Sequence, residues 1–187
     1  VIGGKLRGRA LAAPDDGSIR PTSDRVRESV FNILAHGIDG FDVEGRRVLD
    51  LFAGTGALGI EALSRGAVFC LFVEEDAAAR GLIRRNIETF SLTGQTRIYR
   101  RDTTSLGPAL QRERFGLVLA DPPYGKGLGE RAIAAASEGG WLEPGAVAVL
   151  EERADVTVVW PDGFEALDTR TWGDTAVHFA RWRDVSE

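Results

Sequence analysis

Apolar and polar positions along the 187-residue chain change their period several times, and each change marks an element. In Asp24 to Ala35, Val26, Val30, Ile33 and Leu34 recur at helical spacing behind Thr22, Ser23 and Asp24, which are all able to cap a helix. A helix is expected there, ended by Gly37 and Gly40. From Arg47 the period shortens to apolar runs separated by glycine turns and helical stretches. Strands are predicted at Val48–Phe52, Val68–Glu74, Arg97–Arg101, Phe115–Ala120 and Ala146–Glu151. Helices are predicted from the Gly54–Gly59 turn through Arg65, from Asp76 to about Phe90, and over Leu128–Ser137, with a short one before the fourth strand. The end of the chain differs. Phe164–Thr171 and Thr175–Trp182 are joined by Trp172-Gly173-Asp174, too short for a crossover helix, so they form an antiparallel hairpin. Strands alternating with helices imply an α/β fold with a doubly wound, mainly parallel sheet.

The beginning is less regular. Val1 to Leu11 mixes glycines with basic residues and reads as a short hairpin or an arm, followed by a turn at Pro14-Asp-Asp-Gly17. The expected division is a basic arm over residues 1–23 and one domain over residues 24–187. Net charge is −5, but residues 1–27 carry +3 and the remainder −8. A basic end on an acidic body points to a polyanion bound at that end, a solvated arm being the plain alternative. The absence of methionine leads us to expect that a few first residues are missing.

Composition narrows the chemistry. The longest apolar stretch, Ala67 to Val73, is strand-sized, so no membrane span is expected, and no signal peptide is visible. Cys70 is alone inside that run, which suits a reduced, cytoplasmic setting. His36 and His178 are far apart without cysteines near them, so no metal site is expected.

Two motifs carry the chemistry. Gly54-x-Gly56-x-x-Gly59 fits a dinucleotide-binding turn, with Glu74 twenty residues after Gly54 to hold ribose hydroxyls. Asp50, just ahead of the glycines, would repel a pyrophosphate and suit a cationic ligand such as an amino-acid ammonium group. S-adenosyl-L-methionine has such a group, a sulfonium and a ribose. Asp102, after the third strand, is placed to accept from its adenine amine. Asp50 and Asp102 could instead only cap their turns. Three acids after three successive strands favour S-adenosylmethionine over a dinucleotide. The second motif is Asp121-Pro122-Pro123-Tyr124. Two prolines have fixed φ and no N–H, so their carbonyls and the neighbouring carboxylate stand as acceptors beside an aromatic ring. That suits the exocyclic amine of a nucleobase; a proline-stiffened turn is the plain alternative.

Asp50-Leu-Phe-Ala-Gly-Thr-Gly56, Glu74 and Asp121-Pro-Pro-Tyr124 resemble the motifs of class I S-adenosylmethionine-dependent methyltransferases acting on exocyclic amines. With Gly3-Gly-Lys-Leu-Arg-Gly-Arg9, Arg20-Pro-Thr-Ser-Asp-Arg-Val-Arg-Glu28 and Gly56-Ala-Leu-Gly-Ile-Glu-Ala-Leu-Ser-Arg65, the whole chain is similar to the bacterial 16S rRNA guanine-N2 methyltransferases of the RsmD type. The resemblance implies a seven-stranded sheet with its last strand antiparallel. It implies a guanine of 16S rRNA in the small ribosomal subunit as substrate. Asp50, Ala53, Gly54, Gly56, Glu74, Asp102 and Thr22 would face the cofactor. Asp121 and the Pro122 carbonyl would accept the amine N–H bonds, with Pro123 completing the corner and Tyr124 stacking on the base. Lys5, Arg7, Arg9, Arg20, Arg25 and Lys126 are candidate phosphate contacts, Arg20, Thr22 and Arg25 also standing where they would close the cofactor pocket or only serve the helix start. The rival readings are a DNA amine methyltransferase, a non-catalytic RNA-binding module and a dinucleotide oxidoreductase.

Overall fold

The computed structural model describes residues 1–14, 23–110 and 113–183. The Asp-Asp-Gly part of the first turn, Arg20 and Thr22 lie outside these residues. Seven strands form one sheet: β1 (Arg47–Leu51), β2 (Phe69–Val73), β3 (Thr96–Tyr99), β4 (Phe115–Ala120), β5 (Leu142–Arg153), β6 (Phe164–Trp172) and β7 (Thr175–Trp182). Their order is β3-β2-β1-β4-β5-β7-β6. β1 to β5 pair in parallel, and β7 runs antiparallel between β5 and β6. The hairpin and the doubly wound sheet are as the sequence indicates.

Helices α1 (Asp24–His36), α2 (Ala57–Ser64) and α3 (Ala77–Thr89) put Val30, Phe31, Leu34, Ile60, Leu63, Ile83 and Ile87 into one core with Val48, Phe72 and Leu117 of the sheet. Helix α4 (Leu128–Glu138) covers the opposite face, where Ile133 and Ala136 meet Leu49, Val118, Trp141 and Leu150. Alternating residues of β1 therefore serve opposite cores, which is why Val48, Leu49 and Leu51 are apolar and only Arg47 at its start and Asp50 are not. Ser23 caps α1 by accepting from the Val26 N–H at 3.2 Å. Asp76 caps α3 by accepting from the Ala79 N–H at 2.8 Å.

Three expectations change. The helix before β4 is only a 3₁₀ turn, Thr103–Ser105. β5 begins at Leu142, because Phe115 pairs with Leu142 and Leu117 with Val147; the bulge between them absorbs Pro144 and Gly145. Residues 1–14 contain no strand, but the chain turns back on itself: Gly8 N–H donates to the Val1 carbonyl at 2.8 Å and the Val1 ammonium to the Arg9 carbonyl at 2.6 Å. Gly4–Leu6 form a 3₁₀ turn docked on α2. The Ile2 and Gly3 N–H groups donate to Glu61 at 2.8 and 3.0 Å, and Leu6 N–H to the Ser64 hydroxyl at 2.9 Å. Gly4 has φ +75°, and a Cβ there would lie 1.8 Å from the Ser64 carbonyl oxygen, so only glycine fits this approach. Among the described residues no helix is long and apolar enough to cross a membrane.

Candidate active site

The C-terminal ends of β1, β2, β4 and β5 open onto a cavity of about 690 Å³, beside the point where the strand order reverses. Ligands in open α/β sheets bind at such crevices. Asp50, Ala53, Gly54, Glu74, Asp121, Pro122, Pro123 and Tyr124 all line it, with Phe52 and Glu151. The sequence motifs separated by about seventy residues thus meet in one place.

The glycine turn is built by backbone bonds to acids. Gly54 N–H donates to Glu74 Oε1 at 2.9 Å, and Asp76 N–H to its Oε2 at 3.0 Å. Gly59 N–H donates to Asp50 Oδ2 at 3.1 Å. Gly56, at φ +81°, forms the N-cap of α2. Gly59 lets α2 lie against the sheet: a Cβ there would sit 2.6 Å from both Cys70 Sγ and the Phe72 ring. Asp50 therefore does hold the turn, and its carboxylate also borders the cavity. Burial pushes its pKa well above the usual range; the Gly59 N–H opposes this and the charge of Glu74 adds to it. A buried carboxyl held up in this way favours a cation beside it.

Asp102 stands apart from the main cavity. It lines a smaller cavity of about 280 Å³ with Arg101, Thr104, Leu128 and Arg131, and the two share Phe52 and Glu74. Its Oδ1 caps the 3₁₀ turn, accepting from the Thr104 N–H at 2.8 Å and hydroxyl at 2.7 Å. Those bonds hold its pKa below the ordinary value, so it is an acceptor at neutral pH. Phe52, between the cavities, has φ +55°, an uncommon conformation for a residue with a Cβ.

The Asp-Pro-Pro-Tyr corner is fastened to β5. Tyr124 hydroxyl donates to Glu151 Oε1 at 2.8 Å, and Gly125 N–H donates to Glu152 Oε1 at 2.9 Å. Burial, with the charges of Glu151 and Asp121, raises the Tyr124 pKa despite a bond with Thr175, so the phenol stays protonated. Pro122 is buried and Pro123 exposed.

Of the candidate phosphate contacts, Lys5, Arg7, Arg9, Arg25 and Lys126 are exposed. Arg9 lies over the Phe90 ring at 5.0 Å and reaches the Thr89 carbonyl at 3.4 Å, so this part of the arm rests on the C-terminal end of α3. Sequence reasoning missed four residues. Glu61, fully buried, bonds Arg27 Nε at 3.4 Å and Arg65 Nε at 2.9 Å besides the N-terminal backbone. Asn86 accepts from Ala12 N–H at 2.7 Å and donates to the Thr55 carbonyl at 3.0 Å, tying the arm to the cofactor turn. Phe52 gave no signal. Glu151 did: it follows an apolar run as Asp50 and Asp121 do.

The donor set selects between ligands. Among the described residues, Asp50, Glu74, Asp76, Asp121 and Glu151 border the main cavity and neither lysine nor arginine does. These acids disfavour a pyrophosphate, whereas a cationic ligand rich in amines and hydroxyls fits. Among the described residues no group of His, Cys, Asp and Glu is arranged to hold a metal ion.

Comparison with known proteins agrees with this choice. Residues 1–181 match the family model described as Conserved hypothetical protein 95. The chain is 38% identical over 155 residues to the ribosomal RNA small subunit methyltransferase D of Escherichia coli K12, covering 83% of this chain and 75% of that one. The protein of that name from Haemophilus influenzae is 33% identical over 175 residues, 92% of this chain and 88% of its own. The solved structure of Escherichia coli yhhF superposes with a TM-score of 0.83 at 32% identity, covering 98% and 97% of the two chains. The chain belongs to this family, the S-adenosylmethionine-dependent methyltransferases of the RsmD type.

Proposed function

We propose that the protein transfers a methyl group from S-adenosylmethionine to the exocyclic N2 amine of a guanine in 16S rRNA of the small ribosomal subunit. One observation carries the chemistry: the acidic cofactor turn and the Asp121–Tyr124 corner line the same cavity. The relatives' names supply the RNA. An rRNA substrate also places the protein in the cytoplasm.

When bound, S-adenosylmethionine supplies an electrophilic methyl group on a sulfonium. Asp50 balances the ammonium charge, Glu74 accepts from the ribose hydroxyls, and Asp102 accepts from the adenine amine. Ala53, Gly54 and Gly56 bring backbone close to the ligand, with Thr22 as a further contact. The N2 amine is a weak nucleophile because its lone pair is delocalised into the ring. Asp121 and the Pro122 carbonyl accept its N–H bonds, turning the nitrogen towards a tetrahedral shape and aiming its lone pair. Tyr124 stacks on the extruded base, a contact worth about 1–3 kcal/mol. Its bond to Glu151, and that of Gly125 to Glu152, fix the corner before the base arrives. Positioning of this kind lowers the barrier without a covalent protein intermediate. Lys5, Arg7, Arg9, Arg20, Arg25 and Lys126 contact phosphates, residues 1–23 acting as an RNA-contacting arm on the catalytic domain.

The test is tritiated methyl transfer to undermethylated 30S subunits, naked 16S RNA and duplex DNA. Transfer to the ribosomal substrates is expected. Transfer to DNA alone overturns the proposal in favour of a DNA amine methyltransferase, and transfer to none of them in favour of a binding module.

A further inference from the structure

The acceptor end of the cavity holds a second carboxylate that the proposed mechanism leaves without contact to the base. Ala120 and Leu150 are register partners on the parallel neighbours β4 and β5. Asp121 directly follows the end of β4 and Glu151 is the next residue of β5, and such strands lie roughly 4.7–4.9 Å apart. Both side chains border the cavity beside Tyr124. Glu151 is only 8% exposed, and a buried charge is retained only where hydrogen bonds satisfy it. The Tyr124 hydroxyl donates to its Oε1 at 2.8 Å. A carboxylate has two oxygens with about four acceptor positions and, when ionised, no donor.

The bases differ at the edge such a pair would meet. Guanine presents N1–H next to its N2 amine, an unbroken row of donors. Adenine and cytosine place a ring nitrogen lone pair beside their amines. A second acceptor-only group beside Asp121 therefore attracts guanine and repels the other two. We propose that Glu151 is the guanine-selecting residue, its carboxylate accepting the N1–H of the target base while Asp121 accepts from the amine. This rests on the function proposed above and assigns the base reading to a residue outside the Asp-Pro-Pro-Tyr motif. The Tyr124 bond keeps the Glu151 carboxylate turned to the base-stacking ring.

The probe is 2-aminopurine, which keeps the 2-amine of guanine but replaces N1–H by a lone pair and lacks O6, so the change of ratio in the Glu151 variant isolates the N1 contact. It is placed at the mapped target position of an RNA that wild-type protein methylates. Two quantities are read: methyl transfer, and 2-aminopurine fluorescence on binding with S-adenosylhomocysteine present. Wild type should methylate the 2-aminopurine RNA at least about 10-fold more slowly than the guanine RNA and bind its base correspondingly weakly. Glu151→Gln, whose amide can donate to the lone pair, should narrow that ratio in both readouts. Equal wild-type rates on the two RNAs overturn the proposal without any variant. An unchanged ratio in a Glu151→Gln protein that still binds cofactor overturns it as well. Absence of transfer to guanine by wild type sinks the underlying function instead, which separates the two failures.

Discussion

Replacing Glu61 by alanine should be among the most damaging single changes outside the cavity. Its side chain has no solvent exposure and accepts from Ile2 N–H, Gly3 N–H, Arg65 Nε and Arg27 Nε at 2.8, 3.0, 2.9 and 3.4 Å. Breaking a buried ion pair from one side costs about 3–5 kcal/mol, because the remaining charge stays buried. For a chain of this size each kcal/mol lowers Tm by about 2–4 °C, so Glu61→Ala should melt about 6–20 °C lower. Asp24→Ala is the control. Asp24 also pairs with Arg27, at 2.9 Å, but its own side chain is 85% exposed and its removal leaves the buried Arg27 paired with Glu61, so its loss should cost only about 0–1 kcal/mol. The pH dependence adds a second signature. Burial raises the Glu61 pKa, but the Ile2 N–H, Arg65 and the Gly3 N–H outweigh it, leaving the folded value below the ordinary one. Over that window the unfolded chain binds more protons, so stability rises with pH. The Glu61 contribution is present above the ordinary glutamate value of about 4.3 and is lost as pH falls through the folded value. Calorimetric or urea unfolding of both variants from neutral to acid pH measures this. A Glu61→Ala loss no greater than that of Asp24→Ala, or one independent of pH, would refute the reasoning.

Three further outcomes follow from the cavity. Asp121→Ala should nearly abolish methyl transfer while leaving cofactor affinity largely intact by calorimetry; near-wild-type turnover contradicts its role. Tyr124→Phe loses the bond that orients Glu151 but keeps the stacking ring, so in single-turnover transfer it should retain most activity and Tyr124→Ala should not; equal losses point to the hydroxyl instead. Because burial raises the Asp50 pKa, the folded protein binds more protons than the unfolded chain above the ordinary value of about 3.9, and stability attributable to Asp50 falls as pH rises there. A cofactor ammonium group reverses that shift, so S-adenosylmethionine should bind more tightly as pH rises through the window and release protons. Calorimetry in buffers of different ionisation heat detects the release, Asp50→Asn should abolish it, and a wild-type value of zero contradicts an ammonium at Asp50.

Legibility of the sequence followed burial. Phe115–Ala120 is buried on both faces, so its strand stands out as an unbroken apolar run with the right ends. The start of β5 does not, because Pro144 and Gly145 read as loop, while pairing with Phe115 over a bulge is a long-range fact. Asp50, Glu74, Asp121 and Tyr124 were recognisable because strand ends in a parallel sheet converge on one crevice. The same rule reaches Glu151. Glu61 was hidden for the opposite reason: an acid within a helix reads as a solvent-facing residue, and only its partners on α1 and at the N-terminus show otherwise. Nothing local marks Phe52, whose positive φ is set by the turn it enters. Asn86 joins segments far apart in the chain, a contact no local pattern encodes.

The most direct measurement of the central claim is the identity of the methylated nucleoside. Undermethylated 30S subunits are incubated with the protein and labelled S-adenosylmethionine, and the digested 16S rRNA is resolved by mass spectrometry. The account predicts a single new species, N2-methylguanosine, absent with Asp121→Ala. Label on adenosine, on cytidine, or on a ring nitrogen of guanosine would contradict it.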